Sequence, residues 1–295
     1  MTSTTRTVAV VGPGAIGTTV AAALHEAGRT PRICGRTARE HLEWHAADAR
    51  VRVPGPVRTD PARAGDPVDL IFLAVKSTQN EAAAPWLTAL CRTGTVVCVL
   101  QNGVEQNSIA VPAGARLIPS VVWFPAQAQP DGSVWLRGAT RLSLPDTPAA
   151  EVAREALRGT RCEVVVEADF TTVAWRKLLQ NAVAGLMVLA GRRAGMFTRA
   201  DVAGLALAYL REGLAVARAE GAALDDGVPQ RIVEQFGSYP PDLGTSILTD
   251  REAGRPLEWD TRNGVLLRRG RAHGIPTPIS ELVVPLLAAA SEGPG

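Results

Sequence analysis

Only two of the 31 basic residues in this chain are lysines, Lys76 and Lys177. A sequence that otherwise places its positive charge on arginine raises the question of what an amine does at those two positions. Lys177 lies in the segment WRKLLQN, four residues before Asn181, and on a helix the two share one face. A protonated amine aimed at a carbonyl oxygen stabilises negative charge there and can deliver a proton. A lysine beside Trp175, Leu178 and Leu179 can also lay its stem along the apolar surface and keep its head in water. Further on, Ser246 and Asp250 stand four apart, followed by Gly254-Arg255-Pro256-Leu257-Glu258-Trp259-Asp260. Pro256 suits a first helical turn, which puts Glu258 near a helix N-terminus, where a carboxylate is held in its charged form. Glu258 is then either an acceptor for a ligand hydroxyl or a surface residue matched to the helix dipole.

A second constellation lies at residues 8–17, VAVVGPGAIG. Residues 8–11 predict a buried strand. It runs into Gly12-Pro13-Gly14-Ala15-Ile16-Gly17, and residues 18–27 predict a helix closed by Gly28. Strand, G-x-G-x-x-G and helix in that order form a dinucleotide-binding fingerprint. Gly12 makes the tight turn, Gly14 lets a pyrophosphate approach the backbone, and Gly17 lets the helix pack close to the strand. The helix start, with Ala15 and Ile16, offers unpaired N–H groups to the phosphates. The bland alternative is a glycine turn that binds nothing. The second strand, expected over 32–34, ends at Gly35-Arg36, where NAD-binding folds carry an acidic residue. Arg36 would instead pair with a 2′-phosphate, so the cofactor expected is NADP(H). A merely surface-exposed Arg36, with Arg39 beside it, is the alternative. Apolar strands over 69–75 and 95–100 end in Lys76-Ser77-Thr78-Gln79 and Gln101-Asn102-Gly103. Ligands bind at the carboxyl ends of such strands, which puts Lys76, Gln79 and Asn102 at the cofactor edge.

The elements that must position these residues fall into two groups. To about residue 167 the chain alternates strand and helix, with a further strand over 116–123, a turn at Pro130-Asp131-Gly132 between two short strands, and another strand over 163–166. Beyond it, helices are expected over 171–190, 202–220, 228–236, 257–271 and 279–290, with SEGPG as a frayed tail. The fold class is therefore α/β: an N-terminal Rossmann-type dinucleotide-binding domain, 1–167, followed by an all-α C-terminal domain, 168–295, that carries substrate and catalysis. The 295 residues are enough for two domains. Net charge of +2 gives no case for nucleic acid or an anionic membrane. The 13 aromatics, 5 Phe, 6 Trp and 2 Tyr, leave the core to Ala, Val and Leu. Cys34, Cys91, Cys98 and Cys162 are widely spaced and read as core residues in a reducing compartment. His41 and His45, four apart with no third ligand nearby, read as a solvated face, so no metal is expected. The N-terminus is too short for a signal peptide, and residues 178–191, with Gln180 and Asn181, fall short of a membrane span. A cytoplasmic monomer or homodimer with a small-molecule substrate is expected.

Over nearly its whole length the chain resembles the ketopantoate reductase (2-dehydropantoate 2-reductase) family. It shares GxGAxG at 12–17, Val75-Lys76, QNG at 101–103 and WRKL…N at 175–181. It also shares Ser246, Asp250, Gly254-Arg255, Glu258, Asp260 and Asn263-Gly264, and then HGIPTP at 273–278. The resemblance implies an NADPH-dependent reductase of a 2-oxo acid, ketopantoate foremost, in pantothenate biosynthesis. Lys177 would be the catalytic lysine and Glu258 the acidic substrate contact. Asn102, Asn181 and Ser246 would touch substrate or nicotinamide, and Lys76 and Arg36 the cofactor. The alternatives are a related reductase of another 2-oxo or imino acid, and a non-catalytic NADP-sensing module. One position departs from the family: Gly185 stands where a second Asn is usual. Either the pocket is roomier and less polar there, or the residue is small so that helices pack closely.

Overall fold

The computed structural model describes residues 6–293, so the opening residues of the N-terminal segment and the last two of the SEGPG tail lie outside it. Two compact units divide the chain. The first holds the chain to Gln101 together with Glu105–Phe170. The second holds Asn102–Val104 and everything from Thr171. The division thus follows Phe170, the first residue of a helix, and the turn after Gln101 belongs with the second unit.

In the first unit β1 (Val8–Val11) enters α1 (Ala15–Glu26), then β2 (Arg32–Cys34), β3 (His41–His45), β4 (Arg50–Pro54) and β5 (Leu70–Leu73). After α2 (Asn80–Leu90) come β6 (Val96–Val99), β7 (Arg116–Pro119), β8 (Val121–Val122), β9 (Ala126–Ala128) and β10 (Val134–Leu136). Last come β11 (Thr140–Pro145), α3 (Pro148–Leu157) and β12 (Cys162–Glu167). A five-stranded sheet has the order β2-β1-β5-β6-β7, every neighbouring pair parallel. Its central strands are apolar throughout because both faces are covered. In register, Val10, Phe72 and Cys98 face a core shared with α1 and α3, while Ala9, Ile71 and Val97 face Trp86, Leu87 and Leu90 of α2.

Three expectations need correction here. Helix α1 begins at Ala15, directly after Gly14, and not at Thr18. The strand expected over 116–123 is broken at Ser120. Pro119 has no N–H, and Ser120 gives its N–H to the Gln106 side chain (2.8 Å) and its hydroxyl to the Val99 carbonyl (2.5 Å). The chain then changes sheet, and β8 joins β11 and β12. The third concerns β3 and β4, absent from the sequence reading, which form a four-stranded sheet with β10 and β9. Leu42, Trp44, Val51 and Val53 alternate inward, while His41 and His45 lie on the outer face of a strand.

The second unit is helical: α4 (Phe170–Ala190), α5 (Ala200–Ala219), α6 (Val228–Ser238), α7 (Ser246–Glu252), α8 (Val265–Ala272) and α9 (Pro278–Glu292). Its core joins Leu179, Val183 and Met187 of α4 to Tyr209, Ile232, Phe236, Leu266 and Leu287. The helix expected over 257–271 is not uniform. A π-helical turn at Asp260–Gly264 precedes α8. Pro256 lies in the irregular segment before it, and Glu258 immediately precedes the first helical residue. At the other end α9 runs through Glu292, well into the tail expected to fray.

Candidate active site

In the first unit the glycine turn has the geometry its spacing predicts. Gly12 has φ +92°, and a Cβ there would lie 2.7 Å from the Val75 backbone nitrogen. A Cβ on Gly17 would lie 2.2 Å from the Gly12 carbonyl oxygen, so this contact between helix and strand needs glycine. A Cβ on Gly14 would meet nothing within 4 Å. Gly14 is the N-cap of α1 and no side chain caps that helix. The first N–H groups of α1, around Ala15 and Ile16, are therefore left without a side-chain cap next to the exposed Gly14, the arrangement an anionic group requires. Arg36 is exposed just past β2. Lys76 is half-buried, and its backbone N–H donates to Oε1 of Gln79 at 3.3 Å, which turns that side chain back onto the strand end. These residues fit a phosphorylated dinucleotide.

In the second unit the predicted substrate residues join in one chain of hydrogen bonds. Asn181 on α4 is buried, and its Nδ2 donates to Oδ1 of Asn102 at 3.2 Å. Asn102 Nδ2 donates to Oε2 of Glu258 at 3.1 Å. Glu258 is 5 % exposed, which rules out the surface reading. The same Oε2 lies 3.4 Å from Nη2 of Arg262, whose Nη2 also donates to the hydroxyl of Ser246 at 2.9 Å. Lys177 sits one turn before Asn181 and is half-buried. Burial, and after it the charge of Arg262, bring its pKa down to about 8. An amine held in this way is a stronger acid than an exposed lysine.

Arg262 has no place in the sequence reading. Spaced four from Glu258, it looks like an ordinary surface ion pair. In the structure it is 2 % exposed. The π-helical turn widens the backbone spiral, so that Arg262 and the fully buried Asn263 both face inward. Asn263 Nδ2 donates to the Ala182 carbonyl and to the Tyr209 hydroxyl, both at 2.9 Å. That asparagine settles Gly185. A Cβ at 185 would lie 2.9 Å from Asn263 Nδ2 and 3.0 Å from Leu287 Cδ1. Gly185 is small because α4 packs against the π-helical turn and α9, and the roomier-pocket reading is withdrawn.

A parallel-sheet unit with a glycine-rich turn, and a helical unit that holds a half-buried lysine and a buried carboxylate, define the class of dinucleotide-dependent reductases. The family described as "Ketopantoate reductase PanE/ApbA" matches residues 8–149, and its C-terminal part matches residues 169–291. This chain belongs to that family. A "2-dehydropantoate 2-reductase" of Mycobacterium tuberculosis is 56% identical over 98% of this chain and 99% of its own length. One of Caulobacter vibrioides is 36% identical over 96% and 99%. Among solved structures, a dimeric ketopantoate reductase from Staphylococcus aureus superposes with a TM-score of 0.89 at 26% identity, covering 98% of this chain and all of that one.

Proposed function

We propose that this chain reduces the ketone of 2-dehydropantoate to the alcohol of pantoate, with NADPH as the reductant. The observation that carries the reading is Glu258: a carboxylate taken out of water and held by Asn102, in the unit that also holds the half-buried Lys177. The names of the relatives in Mycobacterium and Caulobacter support the substrate. The exposed Arg36 in place of an acidic residue supports NADP(H) over NAD(H). Gly12, Gly14, Ala15, Ile16 and Gly17 would hold the pyrophosphate, Arg36 the 2′-phosphate, and Lys76 and Gln79 the neighbouring part of the cofactor. NADPH, when bound, supplies a hydride to the ketone carbon.

Charge then gathers on the ketone oxygen. Lys177 donates a hydrogen bond to that oxygen and transfers the Nζ proton to it, which completes the alcohol; the neutral amine recovers its proton from water. A pKa of about 8 leaves the amine mostly charged at neutral pH and a stronger acid than an exposed lysine. Asn102 and Asn181 orient the acid, and Ser246 contacts it at the far end of the same hydrogen-bond chain. Glu258 accepts a hydrogen bond from the terminal hydroxyl of the substrate, so an acid without that hydroxyl leaves a buried carboxylate unmatched.

The test is NADPH oxidation by the purified protein with 2-dehydropantoate and with the same acid lacking its terminal hydroxyl. The hydroxylated acid should be preferred about a hundredfold or more in kcat/KM. Glu258→Gln should raise KM for the hydroxylated acid and leave the other nearly unchanged. Equal use of the two acids, or no oxidation with either, would overturn the reading.

A further inference from the structure

Arg262 lies outside the residues that the family resemblance assigns, and its surroundings are unusual for an arginine. Its side chain is 3 % exposed, so a permanent charge has been taken out of water. Such a charge is tolerated when it is paired and hydrogen-bonded, and the contacts of Arg262 run to two of the substrate residues. Nη2 donates to the Ser246 hydroxyl at 2.9 Å and lies 3.4 Å from Glu258 Oε2. Its Nε is buried without a hydrogen-bond partner.

The position of Arg262 depends on the π-helical turn. Asn263, the next residue, is fixed by the Ala182 carbonyl and the Tyr209 hydroxyl. The two neighbouring side chains therefore point inward together, one locked to α4 and α5, the other reaching Ser246 on α7 and Glu258 before the turn. Asn102 and Arg262 converge on the same oxygen of Glu258. The carboxylate is thereby fixed in rotation and faces a cation that cannot lose its proton.

Resting on the reductase reading above, we infer that Arg262 is a positioning residue for substrate selection: its guanidinium ties Ser246 to Glu258 and holds the Glu258 carboxylate oriented to receive the substrate hydroxyl. Arg262 acts through Glu258 and does not itself touch the substrate. The charge of Arg262 also bears on Lys177, consistent with one electrostatic unit.

The experiment is a double-mutant cycle read as discrimination, the ratio of kcat/KM for 2-dehydropantoate to that for the acid without the hydroxyl. Arg262→Met removes the charge at similar length. It should lower discrimination by about ten- to a hundredfold, through KM for the hydroxylated acid, while any effect of the lost charge on Lys177 is common to both acids and cancels in the ratio. Glu258→Gln combined with Arg262→Met should lose no more discrimination than Glu258→Gln alone. Arg262→Lys keeps the charge but not the planar fork, and should fall between wild type and Arg262→Met. If Arg262→Met does not fold, Arg262→Lys decides, by a loss of at least about threefold in discrimination, within the same hydrogen-bond range. Wild-type discrimination in whichever variant folds, or additive losses in the double variant, would overturn the inference. Failure of wild-type protein to oxidise NADPH with 2-dehydropantoate would instead overturn the function, and the two failures are distinct.

Discussion

The residues divide by the kind of physics that reveals them. Lys177 stands out in the sequence because an amine is rare in this chain, and Glu258 because Pro256, two residues before it, suits a helix start. Burial then explains what each can do: the amine drops to about 8, and the carboxylate is held by Asn102. Arg262 was illegible because spacing alone cannot tell an inward arginine from a surface one. Its direction depends on a π-helical turn whose cause, the anchoring of Asn263 between α4 and α5, is tertiary. Arg36 is the opposite case. It is exposed and its meaning comes from its place at the end of β2. Arg36→Ala should weaken NADPH binding about ten- to a hundredfold, the worth of a hydrogen-bonded charge pair. NADH should bind nearly as before. Titration of both cofactors by fluorescence checks this, and equal losses would show that Arg36 does not read the 2′-phosphate.

At the scale of elements, the parallel sheet and its glycine turn were legible because a strand buried on both faces and a phosphate turn each leave a local signature. Gly12, Gly14 and Gly17 have three different surroundings, and their roles followed from spacing. The strands β3 and β4 carried a clear alternation, Leu42 and Trp44 against Val51 and Val53, which the spacing of His41 and His45 obscured. The break at Ser120 was not legible, since the Gln106 side chain that takes its N–H lies outside the strand. Gly185 shows how the same residue supports two readings until the neighbour is known. With Asn263 pinned by two hydrogen bonds, a side chain at 185 must displace it or Leu287. Gly185→Asn should therefore destabilise the protein by about 1–3 kcal/mol, the usual penalty of overpacking a core. The gain in helix propensity over glycine is under about 1 kcal/mol and does not reverse the sign. Thermal melting checks it: a lower Tm is expected, with discrimination between acids unchanged. A variant as stable as wild type that shifts toward 2-dehydropantoate would restore the pocket reading.

For the whole molecule, the chain separates its tasks. The first unit carries the features that suit a dinucleotide: the turn at Gly12 to Gly17, the uncapped start of α1, and Arg36. The second carries the groups proposed to act on the acid, and it includes Asn102 although that residue comes three positions after a strand of the first. Placement of 102–104 with the helices was not legible, because a strand-end motif reads as part of its own sheet. Its consequence is that Asn102 meets Glu258 and Asn181 within one compact unit.

Division of labour of this kind makes chemistry separable from cofactor binding, and Lys177→Ala tests that most directly. Turnover of 2-dehydropantoate should fall by about two to three orders of magnitude, the usual effect of removing one preorganised donor. NADPH should bind with its wild-type affinity, measured by titration on the same preparation. A variant that keeps near-native turnover would contradict the account, because Lys177 would then be a half-buried lysine with no part in moving the proton.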